Sequence, residues 1–249
     1  MTPNDLLLLA SMIFAAAVLY TSVGHAGASG YIAAMALMGL APDVMKPTAL
    51  TLNILVASFA SLRWTRNGKD LAWKSLLPLV IASVPAAFIG GAIQLSATQY
   101  RVLVGVILLV AGIKFLWKPK TGIAAASLPT DVPWLGGLAT GASVGLLSGL
   151  TGTGGGIFLT PMLLVFGWAA ARQASGLTAP FILVNSIAGL AGNCASIQRL
   201  PMELPYLVAA ALLGALVGTQ IGTRWASSET LQRLLGVVLI IAAGKFLFS

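Results

Sequence analysis

Charged side chains are scarce in this sequence. Only 8% of its 249 residues are charged, 58% are hydrophobic, and the mean hydropathy is +0.95. In a soluble domain about 25% of the residues are charged. The composition therefore excludes the soluble classes and predicts an integral membrane protein surrounded by the lipid bilayer. The net charge of +8 is expected in the short loops that set membrane orientation, so no nucleic-acid partner is predicted.

Cysteine and histidine are nearly missing as well. Cys194 and His25 are the only residues of their types, which excludes an intrachain disulfide and argues against a cysteine metal cage. The phosphate-binding pattern G-x-x-x-x-G-K-[ST], which is found in many ATPases, does not occur. We therefore predict no metal site, no cofactor and no enzymatic activity.

Acidic side chains are absent from the middle of the apolar segments. All six lie between these segments or near the chain ends, at Asp5, Asp43, Asp70, Asp131, Glu203 and Glu229. A carrier of a cation or metal usually needs a carboxylate that offsets the lost hydration of its ion. A cation or metal carrier is therefore disfavoured, although it stays the alternative function.

Apolar segments fill most of the chain. A transmembrane helix needs about 20 such residues. Eight candidates come close to this length, at residues 6–23, 47–62, 75–95, 101–117, 134–150, 177–197, 205–222 and 231–248. Two shorter segments, 30–41 and 156–171, begin at glycines. We predict that each of these two is a broken helix or half-helix.

The sequence also repeats itself. GVILLVAGIKFLW from Gly105 matches GVVLIIAAGKFLF from Gly236 at seven of thirteen positions, and NILVASFA from Asn53 matches FILVNSIA from Phe181 at five of eight. GHAGASG from residue 24 matches GLTGTGG from residue 149, glycine over glycine. Three matches in the same order predict a duplication. We expect an all-α, polytopic membrane helix bundle of two five-segment repeats, 1–117 and 134–249, joined by a linker at 118–133.

The two repeats can be inverted or parallel. If the short segments cross the membrane, each repeat has five crossings and the second repeat is inverted; if they re-enter, each has four and the repeats are parallel. The loop RWTRNGKDLAWK is basic, whereas its counterpart NCASIQRLPMEL is nearly neutral. Because Lys and Arg set orientation, this difference favours inverted repeats.

The glycine-rich stretches are the candidate binding site. Glycine permits unwound backbone, and each stretch precedes a short segment whose helix N-terminus would offer free N–H groups and a partial positive charge. Transporters built from repeats bind substrate at such broken helices. The candidate substrate-binding residues are Ser22, Gly24, His25, Gly27, Ser29, Gly30, Asn53, Thr151, Gly152, Thr153, Gly154, Gly155, Thr178 and Asn185. These donors suit a small oxyanion, although glycines at this spacing can also serve helix packing.

An intramembrane serine hydrolase is a weaker alternative. Residues 27–30 spell G-x-S-G, and His25 could be a base for Ser29. The histidine is four residues from the serine through a glycine-rich turn, however, and Gly154 stands where the second stretch would need its serine.

The most specific stretches are SGLTGTGGGIFLTPML at 148–163 and ASGLTAPFILVNSIAGLAG at 174–192. With their weaker counterparts SVGHAGASGYIAAMAL and KPTALTLNILVAS, they give a chain that resembles the sulfite exporter TauE/SafE family over its whole length. The resemblance implies export of sulfite, or of an organosulfonate such as sulfoacetate, across the bacterial inner membrane. We expect alternating access at the interface of the repeats, and a homodimer is a further expectation.

Overall fold

The computed structural model of the protein describes residues 1–22, 24–66, 73–116, 132–169, 171–224 and 228–248. Within these ranges every regular element is helical, which confirms the prediction of an all-α protein. The α-helices are α1 (Pro3–Ser22), α2 (Ala28–Leu37), α3 (Pro42–Arg66), α4 (Trp73–Ala92), α5 (Ala97–Leu116), α6 (Trp134–Thr151), α7 (Gly156–Val165), α8 (Ala171–Gly192), α9 (Leu204–Arg224) and α10 (Ser228–Phe248).

Within the described ranges, five helices are long and apolar enough to cross a membrane, namely α1, α3, α4, α5 and α9. Shorter apolar stretches occupy α2, α7, the Gly176–Gly192 part of α8 and the Leu239–Phe248 part of α10. The predicted segment at 177–197 extends beyond the C-terminal end of the observed helix. Helix α8 ends at Gly192, and Cys194–Arg199 forms a 3-10 helix.

Glycines bring α4 and α6 together backbone to backbone. Gly141, Gly145 and Gly149 recur every four residues on α6 and face α4. A Cβ atom at these positions would lie 2.1–2.3 Å from the carbonyl oxygens of Leu79, Ser83 and Ala87. No side chain fits there, so the two helices approach as closely as small-residue motifs allow in membrane proteins.

The same packing joins α1 to α9. A Cβ atom at Gly214 would lie 2.5 Å from the carbonyl oxygen of Phe14, and one at Gly218 would lie 2.3 Å from that of Val18. Helices α3 and α8, and helices α5 and α10, also pack extensively on each other. Each of these pairs takes one helix from either half of the chain, so the halves form one interlocked bundle. The predicted linker, 118–133, lies almost entirely outside the described residues.

The glycine packing gives a matched pair of substitutions. In Gly145→Ala the new methyl group meets the Ser83 backbone at 2.3 Å, whereas a Cβ at Gly244 of α10 has nothing within 4 Å. We expect Gly145→Ala to lower the stability of the purified protein by about 1–3 kcal/mol, as overpacking does. Gly244→Ala should leave it unchanged or slightly higher, because alanine favours helix. Equal melting temperatures for the two variants would contradict the close approach of α4 and α6.

Candidate functional site

The two short helices begin in the same way. Helix α2 follows Gly27, which has a φ of 105°, and α7 follows Gly155, which has a φ of 82°. Three residues earlier, Gly24 and Gly152 are also left-handed, with φ values of 86° and 81°. Only glycine adopts such angles without strain. The unwound turns therefore lie where the glycine-rich stretches predict them, and Gly154 is left-handed as well, with a φ of 74°.

The two short helices also end in the same way. Gly39 and Gly167 are left-handed. The amide N–H of the residue after each glycine donates to the carbonyl oxygen five residues earlier, from Leu40 to Met35 and from Trp168 to Leu163. This is the Schellman arrangement. The corresponding glycines at both ends are therefore 128 positions apart.

The predicted match of Gly24 with Gly149 is therefore wrong by three residues. Gly149 is a helical residue that packs on α4, and the turn residue equivalent to Gly24 is Gly152. Gly30 is likewise helical rather than part of the turn, because it lies within α2 against Ala16 and Tyr20.

Each turn leaves a run of backbone donors without acceptors. Among the described residues, no hydrogen-bond acceptor pairs with the amide N–H groups of residues 26–30 or of residues 154–157. All of these residues are buried. Buried amides in proteins are nearly always paired, so these two runs lack the partners that such amides usually have within the described part of the chain.

The second turn, residues 152–155, lies at the mid-length of two long helices. Asn53, in the middle of α3, donates through Nδ2 to the Thr153 carbonyl oxygen at 3.3 Å and to Ser186 Oγ of α8 at 3.4 Å. A Cβ at Gly154 would lie 2.4 Å from the same Nδ2. The contacts place this turn away from the ends of α3 and α8.

Hydroxyl groups hold the start of the second turn. The Thr151 and Thr153 hydroxyls are 2.9 Å apart, and Thr151 donates to the Leu147 carbonyl oxygen at 2.7 Å. Tyr100 of α5, which the sequence analysis missed, donates its hydroxyl to the Thr151 carbonyl oxygen at 2.8 Å. The end of α6 is thereby fixed by a helix from the other half of the chain.

Several buried polar atoms near this turn have no partner in the described part of the chain. They are Asn53 Oδ1, Asn185 Oδ1, Ser148 Oγ and Thr48 Oγ1. Asn185 donates through Nδ2 to the Phe181 carbonyl oxygen at 2.8 Å, and a Cβ at Gly155 would touch both Phe181 and Ser148. Ser148 is an addition to the predicted site, and its position at the start of the glycine motif was the available sequence signal.

His25 links the first turn to the second half of the chain. Its Nε2 is 3.1 Å from Thr160 Oγ1 of α7, which is 2.8 Å from Thr178 Oγ1 of α8. Thr178 donates its hydrogen to the Ala174 carbonyl oxygen at 2.6 Å. A hydroxyl has one hydrogen, so Thr160 donates to Thr178 and accepts from His25. The imidazole is therefore protonated at Nε2.

Comparison with known proteins identifies the family. The model of the sulfite exporter TauE/SafE family matches residues 9–246. The chain belongs to this family. A relative from Sinorhizobium fredii (strain NBRC 101917 / NGR234), named "Probable membrane transporter protein y4hK", is 39% identical over 241 residues, which cover 96% of this chain and 97% of the relative. No solved structure matches the chain. The chain is thus an integral membrane protein and a membrane transporter, with the bacterial inner membrane as its location.

Two predicted residues of the TauE/SafE protein bond within the first half of the chain. Ser22 Oγ donates to the Leu19 carbonyl oxygen at 2.6 Å, and Ser29 Oγ donates to the Tyr20 hydroxyl at 2.7 Å. The hydroxyl hydrogen of Ser29 thus points to Tyr20, while Nε2 of His25 bonds to Thr160. This arrangement is not the serine–histidine pair that a hydrolase needs.

Acidic side chains of the TauE/SafE protein are found at helix ends. Asp5 and Asp43 lie in the first turns of α1 and α3, where Asp43 pairs with Arg199, and Glu203 immediately precedes α9. Across the described ranges, no three His, Cys, Asp or Glu side chains form a group that could hold a metal ion.

Alanine variants of two left-handed glycines separate the cost of backbone strain from the loss of contacts around the second turn. A Cβ at Gly39 has nothing within 4 Å, whereas one at Gly154 meets Asn53 and Ser186 within 2.9 Å. Both alanine variants lose about 1–2 kcal/mol from left-handed strain. We expect Gly154→Ala to lose a further 1 kcal/mol or so, because Asn53 must give up its hydrogen bonds. The melting temperatures of the two purified variants test this difference, and a Gly154→Ala variant as stable as Gly39→Ala would refute the packing around the second turn.

Proposed function

We propose that the TauE/SafE protein exports a small oxyanion, sulfite or an organosulfonate such as sulfoacetate, and is not an enzyme. The anion binds between the turns that precede α2 and α7 and moves by alternating access. The observation that carries the proposal is the two runs of buried amide donors, residues 26–30 and 154–157, that have no acceptor among the described residues.

These donors fit an oxyanion for two reasons. A sulfite or sulfonate group offers several acceptor oxygens, and a helix N-terminus adds a partial positive charge of about half an elementary charge. Hydrogen bonds to a charged group contribute about 1.5–3 kcal/mol each, more than those between neutral groups. The Asn53 amide and the Thr153 hydroxyl hold the second turn in place, because they donate to the Thr153 carbonyl oxygen, Ser186 and Thr151.

Hydrogen bonds between the two halves link the two turns, so both turns can belong to one site. His25, in the first turn, bonds to Thr160 of α7 at 3.1 Å, and Asn53, from the same half, bonds to the second turn at 3.3 Å. A change in the position of one half would therefore alter the contacts around both sets of donors. The binding roles of all the candidate residues, including Ser22, Ser29 and Thr178, remain predictions.

We propose further that the two halves are inverted repeats. Helices α4 and α9 begin 131 positions apart, at Trp73 and Leu204, and α5 and α10 begin at the same interval. Gly105 of α5 lies near Leu247 of α10, and Gly112 lies near Gly236, so these equivalent helices are antiparallel. Helices α3 and α8 are antiparallel as well. Equivalent helices of parallel repeats would run in the same direction.

The short length of α2 and α7 supports their role as half-helices. Each has 10 residues and is therefore about 15 Å long, half the thickness of the hydrocarbon core. In inverted repeats each would cross the membrane together with the unwound turn before it. Export of the anion needs no ATP, because an inside-negative potential favours its outward movement by about 2.3 kcal/mol per charge and per 100 mV.

One observation favours the alternative of a cation carrier. The unpaired atoms Asn53 Oδ1 and Asn185 Oδ1 are acceptors, and amide oxygens are ligands of hard cations. The donors outnumber these acceptors, and in the described part of the chain no carboxylate hydrogen-bonds to the second turn, so the oxyanion remains the better-supported substrate.

Thermal stabilisation of the purified protein tests the substrate class. A ligand that binds only the folded state raises stability by about 2.7 kcal/mol at one hundred times its Kd. We expect sulfite or sulfoacetate to raise the melting temperature in a panel that also contains taurine, sulfate, acetate and divalent metals. Stabilisation by a metal, with no response to any oxyanion, would overturn the proposal in favour of the cation carrier.

Two alanine variants connect that response to the second turn. Thr153 is buried there, whereas the Ser143 hydroxyl is exposed on α6 and donates to the Ala139 carbonyl oxygen. We expect Thr153→Ala to weaken binding of the stabilising anion about tenfold, because the Thr151–Thr153 hydrogen bond that holds the turn is lost. Ser143→Ala should bind as the unmodified protein does. Equal affinities in the two variants would remove Thr153 from the site.

A further inference from the structure

A buried lysine lies beside the second turn. Lys46, in the first part of α3, is only 6% exposed. Its Nζ donates to the carbonyl oxygen of Gly91 at 3.0 Å and to those of Gly90 and Ile93 at 3.4 Å. In the part of the chain that the structure describes, no carboxylate lies within ion-pair distance of this ammonium group.

The partners of Lys46 are only dipoles. Gly90 and Gly91 lie in the last turn of α4 and Ile93 follows it, and this helix end carries a partial negative charge. Charged residues within transmembrane segments pair with one another or with backbone carbonyls, and they commonly mark substrate pathways. The three carbonyls satisfy the hydrogen bonds of Lys46 but supply no full negative charge.

The backbone and the first part of the side chain of Lys46 lie against Gly152 of the second turn. A Cβ at Gly152 would lie 3.1 Å from the Lys46 carbonyl oxygen and 3.2 Å from its Cγ. Asn53, which bonds to the next residue of the turn, is seven positions further along α3 and hence on the same helix face. The flexible lysine stem can thus bring its ammonium group to α4 or to the turn.

Only one half of the chain carries this charge. The position 128 residues after Lys46 is Ala174 of α8, which is buried and offers no charge. The lysine lies at the end of the bundle where α3 begins and α4 ends. The second half therefore offers no cation at the position equivalent to Lys46.

We propose that Lys46 is the countercharge of the transported anion and selects substrates with two negative groups. One acidic group binds to the amides of residues 154–157, and the other pairs with Lys46, which leaves the carbonyls of α4. This inference rests on the proposed function and narrows the substrate class to doubly charged sulfonates, of which sulfoacetate is an example.

The ratio of two affinities tests this role. Sulfoacetate carries a sulfonate and a carboxylate, whereas methanesulfonate carries the sulfonate alone. Binding of both is measured by titration on purified protein. We expect sulfoacetate to bind more tightly to the unmodified protein. In Lys46→Met the sulfoacetate affinity should fall at least tenfold and the ratio should approach one, while Lys46→Arg should keep most of the preference.

The matched control is Lys74→Met, at an exposed lysine near the start of α4, which should leave both affinities unchanged. If Lys46→Met does not fold, Lys46→Gln replaces it, because glutamine is neutral and still donates hydrogen bonds. A folded neutral variant with the unmodified preference for sulfoacetate would overturn the role of Lys46. If Thr153→Ala weakens binding in the same series, the proposed function survives. An unmodified protein that binds no oxyanion would overturn both.

Discussion

Buried backbone amides that have no acceptor among the described residues are the constraint on which this structure depends. In a bilayer an unsatisfied backbone group is unfavourable by several kcal/mol, so irregular backbone persists only where protein covers it. The turns before α2 and α7 are covered in this way, with Asn53 and Tyr100 bonded to carbonyl oxygens of the second turn. Left-handed glycines turn the chain, and among the described residues the amides that follow have no acceptor. In the proposed function, the substrate is the acceptor for these two helix ends.

Close packing of glycines explains how these turns come to lie in the interior. Helices α4 and α6, and helices α1 and α9, approach at a distance that excludes a Cβ atom. Because each pair joins the two halves, the halves cannot separate into independent domains. Helices α3 and α8 are thereby packed on each other, and their mid-length residues Asn53 and Ser186 meet the second turn. Motion of one half relative to the other would change the site directly.

The sequence predicted the membrane class, the helices and the unwound glycines, because composition and glycine conformation are local properties. Aligning the two halves by sequence placed their glycines three residues out of register. Because glycines recur at every third position, alignments that differ by three residues match glycine with glycine equally well. The sequence analysis also missed Lys46, Thr160 and Tyr100. Each acts through a partner more than 15 residues away in sequence, so only tertiary contacts reveal its place. The four-residue glycine spacing of α6 was a readable signal of packing.

The most direct test of the bound oxyanion is a crystal structure with selenate, whose selenium can be located by anomalous scattering. The account predicts an anomalous peak whose oxygen ligands lie about 3 Å from the amide nitrogens of residues 154–157 or 26–30, the usual hydrogen-bond distance. Peaks confined to the surface, with none at either turn, would contradict the claim that the buried amides bind the substrate.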